Sequence, residues 1–140
     1  MRQILLFAAL AASLALLSGC TLSKTKADTA EDMTGKAAYH KISAEEAYEM
    51  MASQEVVVVD VRTREEYDGG HIENAVLVPN ESIGSETPEA LPDKEATLLV
   101  YCRSGRRSKD AAQKLLALGY QSVYDFGGVI DWPYELVKEG

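Results

Sequence analysis

The sequence predicts a single α/β domain with a mainly parallel central sheet and helices on both faces. Three observations predict it. Apolar or β-branched runs at 56–59, 75–78, 97–101 and 122–125 alternate with helical segments, the order that builds a parallel sheet covered on both sides. The run VVVV at 56–59 lacks the alternation of a strand with one face in water, so it reads as buried on both faces. Residues 39–140 supply about one hundred residues, enough for one core and not two.

Each element has a local reason. Ser43 and Glu46 have capping-box spacing, and Ala44, Ala47, Tyr48 and Met51 share a face of the helix they open. Thr63 and Glu66 repeat that spacing and start a short helix that ends near Gly69 and Gly70. The strand at 75–78 is closed by Pro79, and Gly84, Pro88 and Pro92 mark 82–95 as an acidic, exposed loop. Residues 97–101 form the central strand. Ala111, Ala112, Leu115 and Leu116 give the following helix its apolar face, and Gly119 caps it. After the strand at 122–125, Gly127 and Gly128 precede a last helix containing Trp132.

Cys102 follows the central strand directly, and sites in such sheets form at the carboxyl ends of strands. A lone cysteine is commonly just a small buried hydrophobe. Here Arg103, Arg106 and Arg107 cannot all enter a core, and Ser104, Gly105 and Ser108 provide hydroxyl and amide donors beside the sulfur. Loop N–H groups and a helix N-terminus favour thiolate over thiol, and such settings lower a cysteine pKa from about 8.5 to roughly 3.5–7.5. The same donors suit an oxyanion.

The stretch CRSGRRS after a hydrophobic strand, with VVVVDVRTREEYDGGHIENAVLVPN upstream and DFGGVIDW downstream, resembles a single-domain rhodanese-like sulfurtransferase over residues 42–132. The resemblance implies a rhodanese-like domain at 39–140, Cys102 as nucleophile, and a loop of Arg103, Ser104, Gly105, Arg106, Arg107 and Ser108 that binds the anion. It implies sulfane-sulfur transfer from thiosulfate or a similar donor through a Cys102 persulfide to cyanide or a thiol, without a cofactor. Asp60 and Arg62 read from the residues as a structural ion pair or a solvated loop start, and the resemblance places them near the active-site loop as supports. His71 matches the family's GHI step, a turn-stabilising position. Asn74 replaces the family's usual glycine, and asparagine also tolerates a left-handed backbone. Trp132 reads as core packing.

Two other readings compete. Phosphatases and arsenate reductases of the related fold place an arginine after five residues beyond their cysteine. Here that position is Ser108 and the arginine, Arg107, comes one residue earlier, so the shorter loop suits a protruding sulfur atom better than a phosphoryl group. The domain could instead be a non-catalytic binding module with an envelope protein partner.

The N-terminus carries its own signal. Met1 and Arg2 precede an apolar run at 4–17 and then Leu17, Ser18, Gly19 and Cys20. The run is shorter than the roughly twenty residues that span a bilayer. It resembles a bacterial lipoprotein signal peptide at 1–19, which implies lipid attachment at Cys20 and a flexible polar tether at 20–38. The expected location is the cell envelope, lipid-anchored on the non-cytoplasmic side. Thr21 after the cysteine resembles the outer-membrane-sorted class. With Cys20 lipidated, Cys102 has no partner for a disulfide, which points to chemical use of the thiol.

Composition narrows the classes further. A formal net charge of −8 argues against nucleic acid. Two histidines and one available thiol show none of the usual metal-ligand spacings. The overall acidity does not exclude an anionic substrate. Distant charges are screened beyond about 10 Å, while the loop arginines act at contact.

Overall fold

The structure is a computed structural model that describes residues 37–138. The expected signal peptide, Cys20 and nearly all of the tether lie outside the described residues. Five strands form one sheet in the order β1 (Ala38–Lys41), β5 (Ser122–Gly128), β4 (Thr97–Cys102), β2 (Val57–Asp60) and β3 (Val76–Leu77), and every neighbouring pair is parallel. β4 lies at the centre, as expected. Helices α1 (Ala44–Ser53) and α2 (Arg64–Asp68) contribute Ala47 and Tyr67 to one core, while α3 (Arg106–Ala117) contributes Ala111, Ala112 and Leu115 to another. The alternating side chains of β4 divide between the two, with Leu98, Val100 and Cys102 on the α3 side and Leu99 and Tyr101 on the other.

Both capping boxes form. The side chains of Ser43 and Thr63 accept from the N–H groups of Glu46 and Glu66, whose carboxylates accept in return from the cap N–H groups. Asn74 adopts a φ of +62°, the left-handed turn expected of it. The loop before β4 is largely exposed but sends Ile83 and Leu91 into the α3-side core.

Two expectations are corrected. The tether was to run to residue 38, yet Ala38 already begins β1, an edge strand paired with β5. Its sequence AYHK has neither an apolar run nor alternation, because the strand is largely exposed and is held by main-chain pairing. The last helix is absent among the described residues. β5 instead continues through Gly128 and is followed by one 3₁₀ turn, Val129–Asp131. Pro133 disfavours a helical backbone at Trp132. Trp132 packs against the core on the α1 side, close to Phe126, Tyr48 and Tyr134.

Asp60 and Arg62 form a buried ion pair at the end of β2. The Arg62 Nε donates to Asp60 Oδ1 at 2.9 Å, and Nη2 donates to Oδ2 at 2.6 Å and to the Gly70 carbonyl at 2.8 Å. The Tyr101 hydroxyl donates to Asp60 Oδ2 at 2.6 Å and accepts from the Ile72 N–H at 3.1 Å. Burial, reinforced by the Asp60 carboxylate, pushes the Tyr101 phenol far above its ordinary range. Such a network is costly to leave half made.

Tyr101→Phe therefore strands the Ile72 N–H and removes one donor from Asp60, at a cost of about 1–3 kcal/mol. Urea unfolding should show a lower midpoint with an unchanged slope; an unchanged midpoint would contradict the network's role.

Candidate active site

Cys102 ends β4 opposite Gly128, the last residue of β5. The residue is 1% exposed, so its sulfur sits on the floor of the loop that follows. Gly105 turns that loop with a φ of +96°, a conformation natural to glycine. Its N–H donates to Cys102 Sγ at 3.0 Å. The loop folds down onto Gly128, where an added Cβ would lie 2.2 Å from the Arg103 carbonyl oxygen and 2.6 Å from the Ser104 Cα. A main-chain bond from the Ile130 N–H to the Arg103 carbonyl, at 3.2 Å, fixes the same approach.

Burial pushes the Cys102 thiol up. The N–H groups of Ser108 and Gly105, the Ser108 hydroxyl and the Ser104 N–H oppose it, and the balance holds the thiol below its ordinary value. Arg103, Ser104 and Arg106 are exposed at the rim, Gly105 and Arg107 are half-buried, and Ser108 is buried. These residues gather donors and positive charge around one sulfur, an arrangement that can stabilise a thiolate and hold a small anion.

Arg107 is the arginine tied into the site. Its Nη1 and Nη2 donate to Glu66 Oε2 and Oε1, both at 2.8 Å, a bidentate pair. The guanidinium is raised above its ordinary value first by Glu66, and the Cys102 sulfur adds to that effect. Arg106, equivalent to it by sequence, stands exposed. Asp60 ends β2 and Arg62 follows it, outside the loop itself. They reach the site through Tyr101, next to Cys102 in the chain, and through Arg62, whose charge also lowers the Glu66 carboxyl. His71 holds its turn: its Nδ1 lies 2.9 Å from the Tyr67 carbonyl and its ring stacks on Tyr67.

Sequence reasoning misses three residues here. Glu66 reads only as a helix cap, yet the same carboxylate receives Arg107. Gly128 reads as punctuation before a helix; the signal was its place at the end of a strand that pairs with the cysteine's strand. Asp125, a carboxylate closing an apolar strand, is 1% exposed and accepts from the Ser108 hydroxyl at 2.7 Å.

The rhodanese-like domain family matches residues 43–133. Among curated proteins, the tRNA uridine(34) hydroxylase of Yersinia pestis (strain Pestoides F) is 31% identical over 106 residues, covering 72% of this chain and 30% of the relative. The chain thus spans less than a third of the length of that relative. Among solved structures, a rhodanese with anions from E. coli is 34% identical with a TM-score of 0.55, covering 61% of this chain and 100% of that one. A human single-domain sulfurtransferase is 26% identical with a TM-score of 0.59, covering 66% and 93%.

The Glu66–Arg107 pair makes stability depend on acid. Glu66 is pulled from 4.5 to about 2, mainly by Arg107. Because folding lowers this pKa, the pair's contribution is whole above pH 4.5 and is lost as pH falls towards about 2. The stability difference between wild type and Glu66→Gln, read from urea unfolding, should shrink across that window; a constant difference would contradict the pairing.

Proposed function

Because this chain belongs to the rhodanese-like domain family, we propose that it is a sulfurtransferase in which Cys102 carries a sulfane sulfur as a persulfide. The observation that carries the reading is the buried Cys102 sulfur under the loop, with the Gly105 N–H at 3.0 Å and the thiol held below its ordinary value. The thiolate attacks the outer sulfur of thiosulfate or a similar donor. A new S–S bond forms, the donor's S–S bond breaks, and sulfite leaves with the bonding pair. The persulfide's outer sulfur then passes to cyanide or a thiol acceptor, and Cys102 returns as thiolate.

The loop's N–H groups bind the anionic donor and the persulfide, while Arg103, Arg106 and Arg107 supply the attracting field. The relative solved with anions supports an anionic ligand, and the single-domain sulfurtransferase supports the chemistry. A sulfur on the floor of a short loop favours a donor that presents one protruding atom over a bulky phosphoryl ester. Glu66 further engages the arginine a phosphatase would need.

Cys102→Ser should lower thiosulfate-to-cyanide transfer by at least about 10³-fold with an unchanged circular dichroism spectrum, because the two side chains differ mainly in nucleophilicity. Retained turnover would sink the reading. Turnover of an aryl phosphate or of arsenate by the wild type, with no sulfur transfer, would favour the phosphatase-like alternative.

A further inference from the structure

The apolar side chain that stands furthest into solvent is also tied to the active loop. Ile130 is 63% exposed, more than any other large apolar residue among the described ones. It lies in the 3₁₀ turn Val129–Asp131, where Val129 and the following Trp132 pack against the core on the α1 side and Ile130 does not. Its N–H donates to the Arg103 carbonyl at 3.2 Å, and Arg103 follows Cys102 directly. A scattered exposed isoleucine is ordinary. One fastened by its own main chain to the residue after the nucleophile stands at the rim of the site.

The rim also carries unpaired positive charge. Arg107 is engaged by Glu66, but the exposed Arg103 and Arg106 form no ion pair among the described residues. Asp110 feels the Arg106 charge and pairs instead with Lys114. Asp131, beside Ile130, is the exposed carboxylate of the turn, which leaves two unpaired guanidiniums against one acid. Cyanide is too small to use such a rim. A cysteine within a polypeptide is different: the Cys102 sulfur is 1% exposed, and a persulfide raises the reacting sulfur by only about 2 Å. The acceptor thiol must therefore enter the loop while its neighbouring side chains rest on the rim.

We propose that Ile130, Arg103 and Arg106 form the docking surface for a polypeptide acceptor whose cysteine is flanked by apolar and acidic side chains, with Ile130 reading the apolar flank. The inference rests on the reading of Cys102 as the sulfur carrier. The acceptor thiolate attacks the outer sulfur of the Cys102 persulfide and forms a new S–S bond. The Cys102 S–S bond breaks, its electron pair returns to Cys102 as thiolate, and the acceptor leaves as a persulfide. The arginines speed encounter with an acidic flank, and Ile130 loses contact with water only against an apolar one.

The test is thiosulfate-driven sulfur transfer by the full chain to cyanide and to three blocked synthetic peptides, Asp-Leu-Cys-Leu-Asp, Asp-Ser-Cys-Ser-Asp and Lys-Leu-Cys-Leu-Lys. Wild type should favour the leucine peptide over the serine peptide by about five-fold in kcat/KM. Ile130→Ser should remove that preference while transfer to cyanide stays within about two-fold of wild type, because the main-chain bond to Arg103 remains. Comparing the peptide ratio between the two proteins cancels any difference in the peptides' own thiol acidity. The aspartate peptide should also outpace the lysine peptide at low salt, and the gap should narrow as ionic strength rises. A ratio of leucine to serine peptide that is the same in wild type and Ile130→Ser would overturn the proposal. So would an equal loss with cyanide and all peptides, which would make Ile130 a support of the loop, or a charge preference that salt does not change. Transfer to cyanide without peptide discrimination would remove this proposal alone; no transfer to cyanide by wild type would remove the sulfur-carrier reading and this proposal with it.

Discussion

The backbone of Arg103 and Ser104 lies so close to Gly128 that no side chain fits between them, and the active loop depends on that contact. A Cβ at Gly128 would overlap the Arg103 carbonyl oxygen at 2.2 Å, so only glycine lets the chain after Cys102 fold down onto the end of β5. This descent, with the left-handed turn at Gly105, carries a peptide N–H to 3.0 Å from the sulfur. It also starts α3 where the N–H groups of its first turn face the cysteine, adding the positive end of a helix to the same point. Loop arginines alone would attract an anion; the tight backbone approach is what concentrates donors on one atom.

Charge is arranged in alternation around that atom. Asp60 pairs with Arg62, the Arg62 charge helps lower the Glu66 carboxyl, Glu66 grips Arg107, and the Cys102 sulfur helps raise the Arg107 guanidinium. Each group is flanked by opposite sign, which makes buried or half-buried charges tolerable next to a core. The chain also links β2, α2 and α3, so the electrostatics of the sulfur and the packing of the sheet are parts of one network. An acidic protein thereby presents a locally positive rim, because contact-range charges outweigh screened distant ones.

Much of this was legible from residues whose signal is local. Two capping boxes, the uniformly apolar strand at 56–59, the glycine-closed α3 and the left-handed Asn74 all follow from a few adjacent side chains. What escaped is non-local. β1 exists because β5 offers it a partner, and AYHK alone carries no strand pattern. Glu66 meets Arg107 across 41 positions, and Asp125 meets Ser108 across 17; neither distance leaves a spacing to read. The misplaced last helix has a similar origin, since pairing with β4 extends β5 through two glycines that read as a break.

The central claim is that Cys102 takes up a sulfane sulfur covalently. Intact mass of the protein before and after thiosulfate, followed by cyanide, tests it most directly. The account predicts a gain of one sulfur atom located on Cys102 and removed by cyanide. A thiol that stays free and titratable, with no mass gain from thiosulfate, would contradict it.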